Sequence, residues 1–156
     1  MELLLLAVGR LRPYYRAACD DYLKRLTRYA TVREHEVRES GRAATPAVGR
    51  REEAERLRDA LPDRAVVVAL HRGGQAWTSE ELARRLDRWR EGGRPVAVVI
   101  GGAGGLSDDF LAAAAIRWSL GPMTLPHELA RVVVLEQWYR AWTILRGEPY
   151  HKGRGG

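Results

Sequence analysis

The chain has 156 residues, 46% of them apolar and 29% charged, the balance of an ordinary globular domain with a normal core. A surplus of 26 Lys and Arg over 20 Asp and Glu leaves a net charge of +6, which favours an anionic partner, nucleic acid ahead of membrane. No run approaches the roughly 20 apolar residues of a membrane span, the lone Cys19 excludes an internal disulfide, and His35, His71, His127 and His151 are too scattered for a metal site.

The apolar run Leu3 to Val8, ended by Gly9, reads as a buried first strand rather than a signal segment. Pro13 opens a helix to about Arg28, with Tyr15, Ala18, Tyr22, Leu26 and Tyr29 at helical spacing on one face. Thr31 to Val37 alternates weakly, as a second strand would. Arg38 to Arg50, carrying Gly41, Pro46 and Gly49, reads as a surface loop, and a charged helix follows from Arg51 to Ala60. Ala65 to Leu70 is a third strand running into His71-Arg-Gly-Gly-Gln75. Thr78-Ser-Glu-Glu81 is a capping box for a helix that stops at Gly92-Gly93.

The run Val96-Ala-Val-Val-Ile100 enters Gly101-Gly-Ala-Gly-Gly105, after which Ser107, as N-cap, and Asp108 and Asp109 start a helix to about Ala115. Ile116 to Leu120 reads as a short strand and Gly121 to Pro126 as an irregular loop. Pro126 suits the first turn of a last helix reaching about Arg146. That helix is apolar nearly all round, with Glu136, Arg140 and Thr143 as its one polar stripe. Such a helix needs burial on more than one side, which points to a second copy of the chain, a homodimer. Strands alternating with helices throughout predict one α/β domain over 1–156, three layers about a mainly parallel sheet.

Glycines at the carboxyl end of a parallel strand let a ligand approach main-chain groups, and open α/β sheets bind ligands at such ends. The alternative at this point is a tight turn with no ligand. A phosphate-binding loop needs Lys-Ser/Thr after its glycines, and Gly104-Gly-Leu-Ser107 has none. A dinucleotide fingerprint would close on a glycine where Ser107 stands. A methyl donor held by main-chain loops needs neither cation nor metal. It suits a chain whose strand ends after Leu70, Ile100 and Leu120 all carry glycine- or proline-rich turns.

Three motifs, in order, carry a resemblance: Gly101-Gly-Ala-Gly-Gly-Leu106; Ser119-Leu-Gly-Pro-Met-Thr-Leu-Pro-His127; and Tyr139-Arg-Ala with Ile144 and Gly147-Glu-Pro-Tyr-His-Lys152. Together they resemble the ribosomal RNA large subunit methyltransferase H family, of the SPOUT class of S-adenosylmethionine-dependent methyltransferases. The likeness spans the chain, from Leu6-Ala-Val-Gly9 onward, and is strongest after Val96. It implies a C-terminal trefoil knot, an exception to the rule against knotted chains, and a homodimer with S-adenosylmethionine bent in the knot between subunits. Matching motif positions assigns cofactor contact to Leu70, Gly101, Gly102, Leu120, Gly121, Pro122, Met123, Thr124 and Leu125. It implies as substrate N3 of a pseudouridine in helix 69 of large-subunit rRNA, on the assembled ribosome in the cytoplasm. Two positions depart from the family pattern: His71 stands where an acidic residue is usual and Gln75 where a Lys is usual.

Methyl transfer from a sulfonium needs alignment and loss of the N3 proton. His127, Arg140 and His151 are the candidates for that work, and Arg140, Tyr150, His151 and Lys152 for holding RNA. Arg10, Arg12 and Arg16 are further candidates for an RNA-facing surface. Each also has a plainer reading: His127 as a helix cap beside Pro126, Arg140 as the partner of Glu136, the tail as unstructured chain, and the three arginines as a solvated face. The competing functions are a SPOUT enzyme acting on another RNA such as tRNA, and a non-catalytic ribosome-binding factor that keeps the fold.

Overall fold

The computed structural model describes residues 1–43 and 45–152, with the backbone alone at 151 and 152. Five strands, β1 (Glu2–Val8), β2 (Thr31–Val37), β3 (Val66–Ala76), β4 (Val96–Ile100) and β5 (Ile116–Ser119), form one sheet in the order β2-β1-β4-β3-β5. Every pairing is parallel. The helices are α1 (Pro13–Leu26), α2 (Pro46–Ala60), α3 (Ser79–Gly92), α4 (Asp108–Ala113) and α5 (His127–Leu145), followed by a 3-10 turn, Pro149–Lys152.

The sheet is buried on both faces, and successive residues of β1 show it. Leu3, Leu5 and Ala7 join Val96, Val98, Ile100 and Trp118 beneath α1, α3 and α5, with Cys19, Leu82, Leu86, Leu135 and Trp138. Leu4, Leu6 and Val8 join Ala69, Ala97 and Val99 beneath α2 and α4, with Leu57 and Phe110. Period-2 alternation in a strand apolar from Leu3 to Val8 thus yields the predicted three layers.

The boundaries follow local chemistry. Thr78 caps α3 with both bonds of the predicted capping box, and Gly93 closes it at φ +70°. Ser107 caps α4 by accepting from the Phe110 N–H at 3.2 Å. Helix α2 begins five residues earlier than the loop signals indicated. Thr45 accepts from the Val48 N–H at 3.1 Å, Pro46 occupies the first helical turn, and Gly49 packs its bare Cα against Ala43 and Ser40. Pro126 is the N-cap of α5 rather than its first helical residue.

Strand β3 departs most from expectation. It does not stop at Leu70: Leu70 and Gln75 both pair with Trp118, so residues 71–74 bulge out between them. A Cβ on Gly74 would lie 2.5 Å from the Arg117 carbonyl carbon, so only glycine lets the two backbones approach there. Helix α5 packs between α1 and α3 and over the sheet, which buries part of its apolar surface within the chain. Thr143, assigned to a polar stripe, is fully buried and donates back to the Arg140 carbonyl at 2.6 Å. No helix among the described residues is long and apolar enough to cross a membrane.

Candidate active site

The bulge of β3 and the carboxyl ends of β4 and β5 border one cleft of about 760 Å³. Leu70, His71 and Arg72 line it from β3, Ile100 and Gly101 to Leu106 from β4, and Leu120, Gly121, Met123, Thr124 and Leu125 from the β5–α5 loop. Pro126, His127 and Ala130, at the start of α5, close it. Its volume is that of a site for a ligand of cofactor size.

Five glycines, at 101, 102, 104, 105 and 121, bring main chain into the wall. At Gly101 a Cβ would lie 2.6 Å from the Gly105 carbonyl carbon, so the turn folds back onto its own strand. The Gly105 N–H donates to the Gly102 carbonyl at 3.0 Å, and Gly105 holds φ +78°. The space a side chain at Gly101 would take is filled by the turn's own backbone. What the turn offers the cleft is the exposed backbone from Gly102 to Gly105. In the β5–α5 loop, Ser119 Oγ donates to the Gly121 carbonyl and accepts from the Gly121 N–H, both at 3.1 Å. Gly121 meets that geometry at φ +124°, outside the range of other residues.

All the residues assigned to cofactor contact line this cleft except Pro122, which sits in the same loop without facing it. His127 lines it too, and does not cap α5. Its Nδ1 is buried without a hydrogen-bond partner within the chain, a polar ring atom left unpaired in a residue of the cleft wall. Arg140 is elsewhere. Thirteen residues along α5 from His127 put it about 20 Å away, where its Nε donates to Glu136 at 3.0 Å. Tyr150 joins it there, donating to the same Glu136 carboxylate at 2.9 Å, with the Arg140 guanidinium 5.0 Å from its ring centre. Burial, then bonding with Tyr22 and Glu136, pushes the Tyr150 phenol well up, so it serves as donor rather than base. The side chains of His151 and Lys152 lie outside the described residues.

The residue that the sequence reading passed over is Arg72. Its Nη1 donates to Thr124 Oγ1 at 2.6 Å, linking the β3 bulge to the β5–α5 loop across the cleft mouth. The signal is Gly73-Gly74, which marks the turn after Leu70 as one of the ligand-bordering loops without singling out Arg72 within it.

Several charges beyond the cleft lining are paired within the chain. Glu128 accepts from the Arg12 main-chain N–H at 2.7 Å and from Arg12 Nε at 3.0 Å, and these bonds hold its carboxyl below its ordinary value. Arg16 pairs with Asp20 and Glu34. Arg131, fully buried on α5, donates to Glu34 and Glu36 of β2 and to the carbonyls of Val8 and Gly9. Arg12 and Arg16, named above as RNA-facing candidates, are therefore engaged within the chain. No carboxylate lines the cleft, and no group of three potential metal ligands gathers among the described residues.

The model of the family described as "Predicted SPOUT methyltransferase" matches residues 1–151. Proteins named ribosomal RNA large subunit methyltransferase H are similar throughout. That of an Anaeromyxobacter species is 51% identical, covering 97% of this chain and 100% of the relative. That of Rubrobacter xylanophilus is 53% identical, covering 94% and 96%. Among solved structures, a methylase family protein of Haemophilus influenzae superposes with a TM-score of 0.56 at 12% identity, over 95% of this chain and 69% of that one. One of Neisseria gonorrhoeae gives 0.55 at 16%, over 88% and 81%. At such identities these two speak for the fold alone. With its glycine-lined cleft bordered by three parallel strands and relatives alike over nearly their whole length, the chain belongs to the SPOUT methyltransferase family, among the ribosomal RNA large subunit methyltransferases H.

Proposed function

We propose that this single-domain chain transfers the methyl group of S-adenosylmethionine to N3 of a pseudouridine in helix 69 of large-subunit rRNA. It does so on the assembled ribosome, in the cytoplasm. The observation that carries the reading is the cleft itself: the β3 bulge and the loops after β4 and β5 converge there, and a buried ring nitrogen of His127, a residue of its wall, has no partner within the chain.

The residues present fit the methyl donor. Leu70, Leu120 and Leu125 offer apolar surface for an adenine, and the backbone of Gly102 to Gly105 and of Gly121 offers donors and acceptors for its polar edges. Bound there, the cofactor supplies an electrophilic methyl group on a sulfonium. The chain has to align the acceptor, exclude water and take up the N3 proton. His127 is the candidate for the last task, because it lines the cleft and its Nδ1 has no partner within the chain.

The same reading makes the protein a knotted homodimer. Leu129, Val132, Val133 and Tyr139 of α5 are only half-buried within one chain, which leaves an apolar strip for a second copy. Arg140 and Tyr150, too far to serve their own cleft, would then serve the partner's, in line with the RNA-holding role the motifs imply.

The test is methyl transfer from labelled S-adenosylmethionine to whole ribosomes of a strain lacking the protein, beside separate subunits, naked rRNA and tRNA. Label on large-subunit rRNA of whole ribosomes supports the proposal. Label on tRNA instead would keep the chemistry and replace the substrate. No label, with no cofactor binding by calorimetry, would favour a binding factor.

A further inference from the structure

Among the described residues, Arg72 is the one arginine that lines the cleft itself. Arg12, Arg16 and Arg131 each meet a carboxylate, whereas among the described residues none lies within ion-pair distance of Arg72. The β3 bulge places it. Gly74 is wedged against the Arg117 and Trp118 backbones, so residues 71–74 are thrown outward and Arg72 stands exposed at the cleft mouth. Only its Nη1 is engaged, by Thr124 Oγ1, and a neutral hydroxyl orients the guanidinium without neutralising it. An oriented and unneutralised fork at the rim of a cleft without carboxylates is a receptor for an oxyanion.

We propose that Arg72 binds a backbone phosphate of the RNA next to the target nucleotide. This rests on the reading of the cleft as the site of RNA methylation. A base that reaches a buried cleft leaves its stack, and the phosphodiester flanking it stays at the mouth. Arg72 is at that mouth with donors to spare, and through Thr124 it is tied to the loop that lines the cofactor side. Phosphate contacts of this kind fix register and carry a salt-dependent share of affinity.

The experiment measures binding of the wild type, Arg72→Ala and Arg72→Lys to whole ribosomes across a salt series. Calorimetric titration with S-adenosylmethionine runs alongside. Because Arg72 is exposed, neither variant disturbs the core. Arg72→Ala should weaken ribosome binding on the order of tenfold, as expected for loss of one charge-assisted bond. It should also flatten the log–log salt slope by about 0.7 to 0.9. Arg72→Lys should keep the wild-type slope while losing part of the affinity, and cofactor affinity should be unchanged in both. An unchanged slope in Arg72→Ala overturns the proposal. So does a loss of cofactor affinity with ribosome binding intact, which would make Arg72 a partner of the cofactor carboxylate. Wild-type binding without methyl transfer would fail the methylation reading instead, and the slope would still judge Arg72.

Discussion

At the scale of single residues, the account turns on His127. A buried imidazole nitrogen without a partner is costly to keep in a fold that gains nothing from it. His127→Ala is therefore expected to lower kcat by about 100-fold or more, the contribution of a positioned proton acceptor. Cofactor affinity measured by calorimetry should change little; a large loss there would make His127 a binding residue only. Its neighbour Glu128 makes a prediction about pH. Bonds from the Arg12 main-chain N–H and guanidinium depress its folded-state pKa, so it contributes stability above its unfolded value and loses it as pH falls through the folded one. Thermal melts at descending pH should show Glu128→Gln closing on the wild type in the acid range and trailing it at neutral pH. Gly101→Ala pits a methyl group against backbone 2.6 Å away. It should lower the melting temperature and abolish cofactor binding together, because the turn cannot keep its shape.

Among the elements, α5 and the β3 bulge show what the sequence made legible and what it hid. The strands, their glycine-terminated ends, the capping box of α3 and the N-cap of α4 could all be read directly, since each depends on residues within a few positions. The motifs likewise named most of the β5–α5 loop residues that line the cleft. The bulge could not be read, because it exists where Gly74 meets Arg117 and Trp118, more than forty residues on. For the same reason Arg72 was not recognised as part of the cleft. Nor could the burial of Arg131 be read from an otherwise apolar helix, since the charges that permit it, Glu34 and Glu36, stand on the edge strand β2. Replacing Arg131 by Ala leaves a buried void and takes the side-chain donor from the Val8 and Gly9 carbonyls, while Glu34 and Glu36 keep Arg16, and a loss of about 2–3 kcal/mol is expected in denaturant unfolding. A loss within 1 kcal/mol, roughly the value of a surface pair, would contradict the view of Arg131 as the pin between α5 and the end of β1.

For the whole molecule, the separation between the cleft and the Arg140–Tyr150 cluster is the central fact. One chain puts them about 20 Å apart along α5, so the proposed chemistry needs a two-fold partner to bring them together. Mixing His127→Ala chains with Arg140→Ala chains should restore part of the activity that each homodimer lacks, because one of the two clefts in a mixed dimer regains a full set. No recovery in verified mixed dimers would mean that each chain works alone. The central claim is tested most directly in the cell, by mass spectrometry of the helix 69 fragment of large-subunit rRNA. The fragment would come from a strain lacking the protein, with and without the gene restored. The account predicts a pseudouridine heavier by one methyl group, at N3, that disappears with the protein and returns with the wild-type gene but not with the His127→Ala form. An unmodified fragment in the restored strain, or a methyl group that persists without the protein, would contradict it.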